Sequence, residues 1–163
     1  IQQLRHELDD KYSFAELCSL AQEQKIDTIV DCGDQSFLAP ASMKAAVEDY
    51  CEKNDLVKPV LVGEFARVIY RSLAFCYKNT ARELEEITGK KYSAIHIVGG
   101  GSNADYLNKL TAEFTKKTVY AGPGEATACG NIAVQMLADG SFTSVSDIRQ
   151  AIGESCELKV YDK

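Results

Sequence analysis

The chain has 163 residues, 45 % of them hydrophobic, and a net charge of −6 from 24 acidic against 18 basic side chains. That is the size and apolar content of one globular domain or one lobe, and its acidic balance speaks against the basic face that nucleic acid requires. No apolar run approaches the ~20 residues of a membrane span, and the opening Ile1-Gln2-Gln3-Leu4-Arg5 has neither a basic n-region nor a signal-peptide core.

Residues 1–24 read as two helical pieces, the first with Leu4, Leu8 and Tyr12 on one side. The second is capped by Ser13, with Glu16 three residues on completing a capping box. Ile26–Cys32 is short and β-branched, and it runs into Gly33 to Pro40, which reads as an irregular loop. Ser42 caps a helix carrying Ala45, Ala46, Val47 and Tyr50 and ending near Asn54. The longest element spans about Leu61 to Thr88. There Phe65, Val68, Ile69, Leu73, Tyr77, Leu84 and Ile87 recur at three- and four-residue steps, which predicts a helix with one buried face. Gly89 suits a left-handed C-cap.

Tyr92 to Val98 reads as a buried strand, Gly99–Gly101 as a turn, and Ala104 to Thr115 as a helix with Leu107 and Leu110 inward. Thr118-Val119-Tyr120 is a second strand, Gly122-Pro123-Gly124 a second turn, and Glu125 opens a helix to about Leu137 that Gly140 ends. Ser144 or Ser146 starts a last helix to about Glu154, and the rest is an extended tail. A strand–helix–strand crossover implies a parallel pair. One such pair is a thin sheet, and a chain that opens in mid-helix without methionine reads as a fragment whose first strands lie upstream. The open sheet edge that this leaves invites self-association into a homodimer.

Three consecutive glycines are costly in backbone entropy and are kept where a Cβ cannot be tolerated. Placed between an apolar strand and a helix start, Gly99, Gly100 and Gly101 point to a close approach by a phosphate or nucleotide, or to a tight turn with no ligand. Gly99 to Ala104 satisfies G-x-G-x-x-A, but the acidic residue expected at the end of the next strand is missing, since that strand ends Tyr120-Ala121-Gly122-Pro123-Gly124 with nothing acidic in it before Glu125. No G-x-x-x-x-G-K-[ST] is present. Ala126, Gly130 and Val134 share a helical stripe, whose small side chains would let that helix approach the sheet. Glu125 suits a first-turn acid, or a reach to a sugar or a domain interface.

Cys18, Cys32, Cys51, Cys76, Cys129 and Cys156 are scattered without a Cys-x-x-Cys, and His6 and His96 lie far apart. Reduced thiols in a cytoplasmic protein fit this pattern, and a zinc site does not. Cys129 reads as packing before a nucleophile, His96 as structural before a base, and Asp31 and Asp34 as loop caps before a metal pair. The pairs Lys90-Lys91 and Lys116-Lys117 read as solvated loops. No residue stands out as a general base or nucleophile.

Ile97-Val98-Gly99-Gly100-Gly101, Tyr106-Leu107-Asn108 and Ala121-Gly122-Pro123-x-Glu125-Ala126-Thr127-Ala128-x-Gly130-Asn131 together resemble the rhamnulokinase branch of the FGGY carbohydrate kinases. Phe37 with Met43, and Ser72-Leu73-Ala74, add to the likeness. The resemblance covers nearly the whole chain. It implies an α/β, actin/hexokinase-like (ribonuclease H-like) C-terminal lobe, with residues 1–163 a single-domain fragment on the nucleotide side. It also implies a kinase that closes over ATP and a ketose with Mg²⁺ and phosphorylates the 1-hydroxyl of L-rhamnulose. The alternatives it leaves are another sugar kinase, such as a fuculokinase or xylulokinase, and a non-catalytic nucleotide-binding domain. On the same resemblance Gly100 contacts the nucleotide and Gln2 lies near its phosphates. The branch carries an asparagine where this chain has Ala104, with Asn103 one residue earlier, and an apolar residue where it has Gly124. The base and most sugar contacts are expected on the N-terminal lobe, so the fragment alone should be inactive.

Overall fold

The computed structural model describes residues 1–162. Its helices are α1 (Gln2–Glu7), α2 (Phe14–Glu23), α3 (Met43–Lys53), α4 (Val62–Thr88), α5 (Asp105–Thr115), α6 (Ala126–Ala138) and α7 (Val145–Ser155). Its strands are β1 (Ala94–Ile97), β2 (Thr118–Ala121) and β3 (Lys159–Tyr161). Local chemistry sets three of these helix starts. Ser13 and Glu16 form the reciprocal capping box, and Ser42 and Ser144 accept from Ala45 N–H and Asp147 N–H. Gly89 ends α4 at φ +66°, a conformation open to glycine at little cost.

α4 is the wall that two apolar clusters share. On one side Ala66, Tyr70 and Ala74 meet Leu17, Cys18 and Ala21 of α2 and Tyr106, Leu107 and Leu110 of α5. On the other, Phe65 and Val68 meet Leu4, Val30, Val47 and Cys51. Full burial of a side chain such as Phe65 or Val68 stabilises by about 1.5–3 kcal/mol. Gly63 lets α2 cross closely, since a Cβ there would stand 2.7 Å from the Leu20 carbonyl oxygen. Tyr70 and Tyr106 meet edge to face with centroids 5.7 Å apart.

The buried face of α4 stops short of the expected one. Tyr77, Leu84 and Ile87 are exposed, Ile87 by 82 %. The cause is length: 27 residues rise about 40 Å, whereas α2 and α5 cover about 15 Å each, so the apolar period outruns its partners. Ala45 likewise faces outward, and Cys51 takes the inner position on α3.

β1 and β2 pair in parallel, Ala94 opposite Thr118 through Ile97 opposite Ala121, as the crossover requires. The extended tail is a third strand: β3 runs antiparallel to β2, with Ala121 opposite Lys159, giving the order β1-β2-β3. β1 is an edge rather than a buried strand, its residues half-buried and His96 exposed and stacked on Tyr120 at 5.1 Å. Ile26–Cys32 is extended but pairs with no strand. Side chains hold it instead: Val30 N–H donates to Ser72 Oγ at 2.9 Å, and Thr28 Oγ1 to the Val57 carbonyl at 2.7 Å.

α6 and α7 pack on each other around Ala133 and Ile148. The stripe on α6 does not approach the sheet: Val134 is exposed, and a Cβ at Gly130 would meet nothing within 4 Å. Lys117 is no solvated loop residue either. Its ammonium reaches the Glu85 carboxylate at 2.6 Å and the Tyr92 carbonyl at 2.6 Å. All six cysteines are free thiols. Asp31 and Asp34 cap turns at Gly33 N–H and Ser36 N–H. None of the helices is long and apolar enough to cross a membrane.

Candidate nucleotide site

Two loops meet where the parallel strands end at their carboxyl edge, the place at which open α/β sheets take ligands. The loop after β1 is a 3-10 turn over Gly99–Asn103, and the α-helix begins only at Asp105. The glycines therefore precede the helix rather than open it, and the first turn of α5 already holds its own acid. The loop after β2 is Gly122-Pro123-Gly124, with a cis bond before Pro123. They are cross-linked: Gly99 N–H donates to the Pro123 carbonyl at 2.9 Å, and Gly122 N–H to the Ile97 carbonyl at 2.8 Å.

The three glycines have different reasons to be glycine. Gly99 sits at φ +74°, which L side chains rarely adopt. A Cβ at Gly101 would make ordinary contact with Ile97 at 3.7 Å. A Cβ at Gly100 would meet nothing within 4 Å. The protein itself supplies no cause for a missing side chain at Gly100, which leaves a surface open to something else. The turn is fixed from behind. Ser102 Oγ donates to the Gly99 carbonyl at 2.7 Å, and the fully buried Asn108 donates from Nδ2 to the Ser102 carbonyl at 2.9 Å.

Beside the turn lies a small polar cleft of about 140 Å³, lined by Ser102, Asn103, Ala121, Gly122, Gly124, Glu157 and Lys159. Lys159 Nζ lies 3.0 Å from Asp105 Oδ1, and Tyr161 OH donates to the same oxygen at 2.6 Å. The tyrosine hydroxyl first, and the lysine second, hold the Asp105 carboxyl below its ordinary range. The structure thus brings Asn103 to the cleft edge. Gln2 is exposed on α1 and does not line the cleft, while its neighbour Gln3 donates to the Pro40 carbonyl at 2.6 Å. Glu125 is exposed at the N-cap of α6 without a capping hydrogen bond.

A larger cavity of about 630 Å³ lies between residues 29–33 and α4, lined by Tyr50, Ser72, Cys76, Asn79 and Glu83 among others. Two of its polar groups are committed to the extended segment, Ser72 to Val30 and Tyr50 to Asp31, so volume alone does not make it the site. Among the described residues no three His, Cys, Asp or Glu side chains gather as a group that could hold a metal ion. Glu157, Lys159 and Tyr161 carry no motif. The only sequence signal for them is the short alternating Lys159-Val160-Tyr161.

Residues 1–138 match the FGGY family of carbohydrate kinases, C-terminal domain. The chain belongs to that family, and its helix-rich body with a small mixed sheet is the actin/hexokinase-like, ribonuclease H-like fold of that domain. Among curated proteins it is similar to the rhamnulokinase of Halalkalibacterium halodurans, 38 % identical over 161 residues. The rhamnulokinases of Enterococcus faecalis and Bacillus subtilis are 39 % and 38 % identical over 164 and 162 residues. Each alignment covers 99 % of this chain but only 33–34 % of the relative, so the chain spans about a third of their length.

Proposed function

We propose that residues 1–163 form one unit, the nucleotide side of the C-terminal lobe of a rhamnulokinase-like sugar kinase. The complete enzyme would transfer the γ-phosphoryl of ATP to the 1-hydroxyl of a ketose, L-rhamnulose by analogy with the relatives' name. The Gly99–Asn103 turn carries this reading. It stands at the carboxyl end of a parallel strand, belongs to the matched family region, and leaves Gly100 open on the outside. Backbone N–H groups at such a turn, beyond that of Gly99, which the Pro123 carbonyl already holds, stabilise phosphate charge without rearranging during reaction. On this reading Gly99, Gly100 and Gly101 face the nucleotide, with Gln2 and Asn103 as further contacts, and Mg²⁺ enters with ATP.

Phosphoryl transfer depends on positioning and charge stabilisation from both sides of the reacting group. The base that takes the hydroxyl proton, and most sugar contacts, are assigned outside this chain. The chain alone should therefore bind nucleotide without turning over sugar. A cytoplasmic location and a homodimer through an open sheet edge belong to the same proposal. Titration of ¹⁵N-labelled protein with MgATP should move the amide signals of Gly99–Gly101. Gly100→Val should abolish those shifts while leaving the remaining spectrum folded. Glycine signals that stay in place at saturating MgATP would overturn the reading.

A further inference from the structure

The family match ends at residue 138, yet one wall of the cleft beside the glycine turn comes from beyond it. β3 and the residues leading into it are seated against the loop after β2. A Cβ at Gly122 would come within 2.9 Å of the Glu157 carbonyl oxygen and 3.1 Å of the Leu158 side chain. Pairing of Lys159 with Ala121 continues that contact, and Asp105 fixes the Lys159 ammonium at 3.0 Å. The approach of the tail is therefore built into backbone geometry and an ion pair at once.

Within the cleft, two polar side chains are uncommitted. Among the described residues neither the Glu157 carboxylate nor the Asn103 carboxamide makes a hydrogen bond or ion pair, and both residues line the cleft with Lys159, Glu157 standing exposed at its rim. A side chain at 124 would start 3.9 Å from Asn103 Nδ2, and glycine there leaves that mouth clear. A carboxylate that accepts, beside an amide and an ammonium that donate, is the complement of a vicinal diol, each hydroxyl of which donates one hydrogen bond and accepts others. The cleft suits one sugar ring rather than a whole nucleotide.

We propose that this cleft takes the ribose of the bound nucleotide, with Glu157 accepting from its hydroxyls and Asn103 and Lys159 donating to them. The inference rests on the nucleotide reading of the glycine turn and adds residues outside the matched family region to it. The missing ribose acid of the dinucleotide fingerprint is then supplied from the far end of the chain, after β3 has paired, rather than at the end of the next strand.

The test compares ATP with 2′,3′-dideoxy-ATP on the wild-type chain and on Glu157→Ala, following the Gly99–Gly101 amides. Wild type should bind the dideoxy nucleotide about tenfold more weakly than ATP, as expected for lost hydrogen bonds to a charged group. Glu157→Ala should weaken ATP by a similar factor and leave the dideoxy affinity unchanged. Lys159→Met should act in the same direction on ATP. Equal losses for both nucleotides, or none for either, would overturn the ribose assignment while the glycine shifts with ATP kept the nucleotide reading intact. Absence of any glycine shift with ATP would overturn both.

Discussion

Glu85, near the far end of α4, and Lys117, just before β2, form an ion pair at 2.6 Å with both side chains largely covered. Lys91 adds a second ammonium at 3.0 Å, and Tyr92 N–H donates to Glu85 Oε1 at 3.0 Å. One carboxylate thereby ties the projecting end of the long helix to the starts of β1 and β2.

The Lys117 hydrogen bond first, then those of Tyr92 N–H and Lys91, hold the Glu85 carboxyl down at about 2 from an ordinary 4.5. A depressed carboxylate contributes stability that is full above its unfolded value and is lost as pH falls from about 4.5 toward about 2. Thermal melts followed by circular dichroism from pH 6 to pH 2 should show that loss. In Glu85→Gln the midpoint should be lower at pH 6, and the fall across this window should be shallower. An unchanged acid profile would remove Glu85 from the account.

Gly99 and Gly100 should separate under alanine substitution. Gly99→Ala forces a side chain into the left-handed region and should destabilise by about 1–2 kcal/mol. Gly100→Ala meets open space and should leave the urea midpoint within a few tenths of a molar of wild type. Equal losses would show that the turn has another constraint.

Gly63 should tolerate no side chain. A Cβ there would stand 2.7 Å from the Leu20 carbonyl and 2.9 Å from Gln24 Nε2, and only the amide can swing away. Gly63→Val must push α2 from α4 and should cost about 1–3 kcal/mol, read from urea unfolding. A neutral outcome would mean that α2 and α4 can separate at this crossing without cost.

Ser72 donates to the Val68 carbonyl at 2.6 Å and accepts from Val30 N–H at 2.9 Å. Ser72→Ala strands a buried backbone donor and should destabilise by about 1–3 kcal/mol. Hydrogen exchange at Val30 should speed up more than exchange at Tyr70, which keeps its helical bond.

What the sequence made legible was local. Capping needs only neighbours, so Ser13, Ser42, Ser144 and Gly89 stand where spacing puts them. The glycine turn was legible for the same reason. Strand pairing is not local: Ile26–Cys32 has β-branched residues but no neighbouring strand, whereas Lys159-Val160-Tyr161 has only three residues and a partner. The apolar period of α4 is legible in its residues, but burial depends on where α2 and α5 end. That Glu157 and Lys159 line the cleft has no signal in the sequence, because they reach it only through β3, Lys159 meeting Asp105 across 54 positions.

The order of elements gives the α6–α7 pair a mechanical role. These helices lean mainly on each other, and the strand that walls the cleft leaves from the end of α7. A hairpin with so little purchase on the body is the kind of segment that opens sub-globally, well below the cost of full unfolding. Because β3 is threaded behind it, any partner or neighbouring lobe that grips α6 and α7 also pulls on Glu157 and Lys159. Residues 156–158 are the covalent link between α7 and β3, so a displacement of the hairpin would reach the cleft through Cys156, Glu157 and Leu158, beside a loop that holds the glycine turn by Pro123.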